Sequence, residues 1–288
     1  MRRARLWTTA GVVILSIVLG AALRAAELTV DGPPSLVGAA DRIRAVDRSR
    51  LEADLRRAGL RLPARISVLL IPEDDPRAPR IPRWTVGLAA GQQDVVILPQ
   101  RVLPYPYDSL ESVFRHEVAH LALSARAAGR PLPRWFHEGV AMSVDAGWDL
   151  SGQLRLLFEM LKGPGTAELA RLFASNTQPD AAQAYGLSAA LVADVQRRHG
   201  AAVIGTIAGR VAEGLPFARA FELEIGEPPD AAAARAWSAY RRWTAWAPAF
   251  TSGTAMWAAI LALAAVAYAA RQRRRARQRR RWEEEDPI

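Results

Sequence analysis

Between Arg65 and Gln100 the apolar residues come in strand-length pieces, and from Asp108 onward they follow a helical pattern that does not revert. That one change of period limits the chain to an α+β arrangement: a small sheet near the N-terminus, then a mainly helical part. RISVLLIP (65–72) reads as a strand closed by Pro72, with a proline-rich loop, EDDPRAPRIPR, behind it. WTVGLAA (84–90) and DVVILPQ (94–100) flank Gly91-Gln92-Gln93 and read as a hairpin. Upstream, Asp47 to Leu60 has helical spacing with Leu51, Leu55 and Leu60. Downstream, Asp108 with Glu111 resembles a capping box opening a helix over 109–127, and Pro133 suits the first turn of the next. Further helices are expected over 151–162, 165–174, 180–199, 201–213, 215–225 and 230–242, punctuated by glycines.

The chain has 288 residues, half of them apolar, enough for one good-sized core and incompatible with a mostly disordered protein. It has no cysteine, so a metal would need His, Asp or Glu ligands. The net charge of +9 sits at the ends: Arg2, Arg3 and Arg5 at one, the run RQRRRARQRRR (271–281) at the other. The body between is close to neutral and has no patch suited to phosphates, so no nucleic-acid partner is expected.

Two uncharged runs frame that body. LWTTAGVVILSIVLGAAL (6–23) follows MRRAR and reads as a secretory signal peptide or an N-terminal membrane anchor. Trp243 to Ala270 is uncharged over 28 residues and long enough to span a bilayer. By the positive-inside rule the arginine run and the N-terminus are cytoplasmic. The expected organisation is therefore a signal or anchor over 1–26, an extracytoplasmic domain over 27–242, a transmembrane helix over 247–270 and a cytoplasmic Arg-rich tail over 271–288. The expected location is the cell membrane, with the membrane itself a partner.

The chemistry is concentrated in FRHEVAH (114–120), which holds two of the four histidines. Residues four apart on a helix share a face, so His116 and His120 can reach one ion, and Glu117 stands about 100° away, placed for a base and not for a ligand. The same five residues also fit a solvated helix surface. A catalytic zinc site needs a third protein ligand. Leu123 and Arg126 occupy the positions where a metzincin carries glycine and a third histidine, so that pattern fails. PRWFHEGVA (133–141) instead puts Glu138 eighteen residues past His120, a distance that a helical hairpin through Gly129 and Pro131 can close.

HEVAH followed by WFHEG resembles the gluzincin metallopeptidases, in particular their peptidase MA-like branch. AYGLSAALVADVQRRHG (184–200) and FELEIGEPPDAAAARAWSAYRRW (221–243) are similar to the helical tail of that branch. The resemblance implies a zincin-like fold, Zn2+ held by His116, His120 and Glu138, and hydrolysis of peptide bonds by a zinc-activated water with Glu117 as general base. It implies that Tyr185 hydrogen-bonds the oxyanion, though a core tyrosine on an amphipathic helix fits the same position. The implied substrate is a peptide or protein lying along an edge strand, DVVILPQ. The alternative is a catalytically weak metal-binding scaffold that binds peptides or envelope proteins through the same groove. His137 is expected to flank the cleft, where it could orient substrate, or to stand partly exposed at the rim, since adjacent helical residues diverge by about 100°. Met142 stands where thermolysin-like enzymes carry an aspartate that orients a ligand, and Asp145 is the nearest substitute.

Overall fold

The computed structural model describes residues 26–83, 85–91, 93–102, 109–145, 164–175 and 177–238, with Leu261, Tyr268 and Arg271. The helices expected over 151–162 and most of 247–270, and the segment 6–23, lie outside the described residues.

The sheet has four strands: β1 (Glu27–Asp31), β2 (Arg65–Leu70), β3 (Gly87–Ala90) and β4 (Asp94–Ile97), in the order β1-β2-β4-β3. β1, β2 and β4 run parallel, and β3 pairs antiparallel to β4 alone, with Leu88 opposite Val96. Alternation decides the faces: Ile66, Val68 and Leu70 of β2 with Val95 and Ile97 of β4 enter the main core. Val96 points the other way and packs under the 71–81 loop with Ile71, Ala78 and Leu98. Between β1 and β2 the chain forms α1 (Val37–Arg44) and α2 (Arg48–Arg57), the latter capped by Asp47, which accepts from the Arg50 amide.

The helical part comprises α3 (Leu110–Arg126), α4 (Arg134–Asp145), α5 (Thr166–Ala174), α6 (Gln178–His199), α7 (Val203–Ala212), α8 (Phe217–Ile225) and α9 (229–238). The N-cap of α3 is Ser109, whose hydroxyl accepts from the Ser112 amide at 3.1 Å, one residue later than the capping box expected at Asp108. α3 is buried almost all round, with Val113, Phe114, Val118 and Leu121 at 1% exposure or less, because sheet, α1 and α4 enclose it. The chain reverses at Ala128 and Gly129, both with positive φ, and α4 returns along α3. α4 in turn lies tightly on α6: a Cβ at Gly139 would collide with the Ser188 backbone carbonyl. α9 is fastened to the start of α5 by the indole of Trp237, which donates to the Pro164 carbonyl at 2.7 Å.

Three expectations are corrected. No helix among the described residues is long and apolar enough to cross a membrane. A span needs about 20 apolar residues, whereas α6, the longest at 22 residues, carries Asp180, Asp194, Arg197 and Arg198. The flanking membrane segments of the expected fold and the cell-membrane location with an extracytoplasmic domain and cytoplasmic tail are therefore unsupported; what stands is an α+β chain with a small sheet and a mostly helical part. The edge strand that borders the cavity is β3, not the DVVILPQ strand, which is internal between β2 and β3. β1 and α1 add an element pair that the hydrophobic pattern did not reveal.

Candidate metal centre

α3 and α4 supply all three candidate ligands. His116 and His120 project from adjacent turns of α3, and the reversal at 128–129 brings Glu138 of α4 opposite them. The three converging atoms form a nearly equilateral triangle. His116 Nε2 and His120 Nε2 are 3.1 Å apart, and Glu138 Oε2 lies 3.3 Å from the first and 3.2 Å from the second. Ligands at about 2.0–2.1 Å from a tetrahedral zinc are separated by about 3.3–3.4 Å along each edge. The donor set and its spacing therefore fit such an ion without rearrangement.

Electrostatics point the same way. His116 is 1% exposed and Glu138 8%, a deep position for ionisable groups. Burial works against the Glu138 carboxylate, yet the imidazoles of His120 and His116 more than offset it and hold its pKa far below the usual range. Burial likewise disfavours the charged form of His120, while the Glu138 and Glu117 carboxylates raise its pKa overall. The cluster is built to keep a carboxylate ionised and to concentrate positive charge beside it.

Glu117 is 4% exposed and lies between α3 and β3. Burial raises its pKa, opposed by the histidines and by hydrogen bonding to the Ala89 backbone. Its fit depends on Gly87: a Cβ there would stand 2.6 Å from Glu117 Oε1 and 2.9 Å from Val113 Cγ1. Tyr185 of α6 places its ring 6.5 Å from that of His116 and edge-on to Phe173 at 5.5 Å. Burial and the Glu138 charge push its pKa above the usual tyrosine value, so its hydroxyl is a donor at neutral pH. These groups line one cavity of about 450 Å³, walled by Val86–Ala89 on the sheet side and by Leu132, Arg134 and His137 on the other.

His137 is half-buried and flanks the cavity, with Nδ1 3.3 Å from His120 Nδ1. Burial and the neighbouring His120 lower its pKa to about 4. The interior position of Met142 matches its apolar character, and the Asp145 side chain lies outside what the structure describes. His199 stands apart at the C-terminal end of α6, exposed, with Arg198 for a neighbour. Two site residues escaped the sequence reading. Gly87 carries no local signal, because its contact with Glu117 is between distant segments. Arg134 was legible in principle, being four residues before Glu138 on a helix and thus on its face.

No family model, curated protein or solved structure matches the chain. The functional reading therefore rests on the site itself.

Proposed function

We propose that this chain is a zinc-dependent peptide hydrolase of the gluzincin, peptidase MA-like kind. His116, His120 and Glu138 would hold the ion, and Glu117 is the general base. The observation that carries the reading is the triangle of 3.1, 3.2 and 3.3 Å edges, with a buried carboxylate that belongs to no edge of it standing alongside.

When bound, zinc supplies Lewis-acid polarisation of a carbonyl and acidification of water. The protein supplies the rest. Glu117 accepts a proton at its carboxylate and delivers it to the departing amine, and burial makes it more basic than an exposed glutamate. The Tyr185 hydroxyl, held protonated, donates to the oxygen on which charge develops. β3 has a partner on one side only, so its outer edge offers main-chain groups to an extended peptide entering the cavity. A scaffold that merely bound metal would have no need of a buried carboxylate at Glu117.

The test uses the purified full chain, its metal content and a peptide-cleavage assay. About one zinc per chain, lost in His116→Ala, is expected. Glu117→Gln should keep the zinc and lose cleavage by about 10²–10⁴-fold. A well-folded chain that takes up no zinc when it is offered sinks the reading. A zinc-bound chain whose cleavage survives Glu117→Gln unchanged removes Glu117 from its role.

A further inference from the structure

Arg134 opens α4 one turn before Glu138, and it is the one Arg or Lys among the described residues that line the cavity. Its Nε donates to Glu138 Oε1 at 3.5 Å, its Nη1 donates to the Phe173 carbonyl at 3.3 Å, and its guanidinium carbon lies 4.7 Å from the centre of the Phe173 ring. These contacts fix where the head group sits. They are too long to account for its presence as a support for Glu138, since a 3.5 Å contact from a side chain 55% exposed exerts little hold. The guanidinium also donates to the Tyr185 hydroxyl. With five N–H donors in all, the ring-stacked, half-exposed head group still retains donor capacity beyond these partners.

Charge balance says what it would receive. Glu117 and Glu138 bring two negative charges to the cavity, and a divalent cation at the triangle would cancel both. Arg134 is then in excess by one positive charge in a site partly shielded from water, a condition that favours an anionic ligand group. We propose that Arg134 is the subsite for a substrate carboxylate. The substrates would then be peptides bearing a carboxylate close to the bond that is cut, which rests on the hydrolase reading above. Glu138 Oε1 faces Arg134 while Oε2 faces the triangle, so guanidinium and metal position flank one carboxylate. That separation corresponds to one or two residues of extended chain, each about 3.3–3.6 Å long. A planar guanidinium suits the purpose because it can engage both carboxylate oxygens at once.

The experiment measures binding, so that it does not depend on turnover. Full-chain Glu117→Gln, loaded with zinc, is titrated calorimetrically with three peptides: N-acetyl-tetra-alanine with a free C-terminus, its C-terminal amide, and the amide with glutamate as the last residue. At least about tenfold tighter binding of one carboxylate peptide than of the neutral amide is expected, and Arg134→Gln on the same background should shrink that to within about twofold. Preference for the free acid identifies a C-terminal carboxylate, and preference for the glutamyl amide identifies an acidic side chain. Equal binding of all three peptides, or a preference that survives Arg134→Gln, overturns the proposal. Loss of zinc in Arg134→Gln also overturns it, by making Arg134 a holder of Glu138. A wild-type chain that cuts none of the peptides while the carboxylate preference stands would refute the hydrolase reading and leave the subsite intact.

Discussion

His137 governs how firmly His120 can serve. For His120 Nε2 to aim a lone pair into the triangle, its Nδ1 must carry the proton and needs an acceptor, and His137 Nδ1 stands 3.3 Å away. Groups of this kind tune affinity by about 10–100-fold. His137→Leu should therefore weaken zinc binding by about that factor in a chelator competition, and His137→Asn, whose amide oxygen can take the acceptor position, should recover most of it. Unchanged affinity in His137→Leu would show that the contact does not orient His120. Gly87 acts on the other side of the cavity. With a Cβ 2.6 Å from Glu117 Oε1, Gly87→Ala must displace either the carboxylate or β3. Cleavage should fall by about 10²-fold with zinc content kept, because a misplacement on the order of 1 Å is enough for that loss. Wild-type cleavage in Gly87→Ala would mean that Glu117 tolerates the shift.

At the scale of elements, two arginines hold the walls of the cavity in place. Arg115 of α3, next to His116, pairs with the buried Asp54 of α2 and donates to the Val144 carbonyl of α4 at 3.0 Å, so one side chain ties three helices. Arg101, just after β4, is buried and donates to the carbonyls of Ala78, Ile81 and Pro82 at 2.9–3.1 Å, to that of Thr85 at 3.4 Å, and to the Glu73 carboxylate. It therefore clamps the loop that delivers the chain into β3. Arg101→Met leaves those carbonyls without their donor and should destabilise the fold by about 2 kcal/mol in urea unfolding. Hydrogen exchange should also rise between residues 73 and 86, upstream of the edge strand. If the loop stays as protected as in the wild type, Arg101 is not its clamp.

Across the whole molecule, ion binding and folding should be coupled, because the triangle exists only where α3 and α4 are packed together. With free zinc at 100 times its dissociation constant the folded state gains about 2.7 kcal/mol. For a chain of this size that is roughly 4–5 °C in Tm. Chelation should therefore lower the wild-type Tm by that amount, and zinc should restore it, while His116→Ala should respond to neither. A Tm indifferent to chelator in a zinc-containing wild-type chain would break the link between the triangle and the α3–α4 pair. The corrected membrane expectation belongs to this scale too: every described helix either carries charges or is too short to span.

Short-range periodicity in the chain encodes the local part of this structure. The β-then-helix order, the extent of α3, the shared face of His116 and His120, and a hairpin long enough to return Glu138 all follow from spacing within about thirty residues. β1 escaped because ELTVD, although it alternates, is only five residues long with a charge at each end, too short for two apolar residues to mark a strand. The tertiary structure alone decided the rest. Which strand forms the edge depends on pairing between distant segments, and β4 became internal because β2 and β3 flank it. Gly87 matters because β3 passes over Glu117, a contact between residues thirty positions apart. His137 faces the cavity although it adjoins Glu138, because the wall that α4 presents to α3 is broad enough for His120 to touch both. Such contacts are set by how helices and strands close on one another, and no local pattern in the chain records that closure.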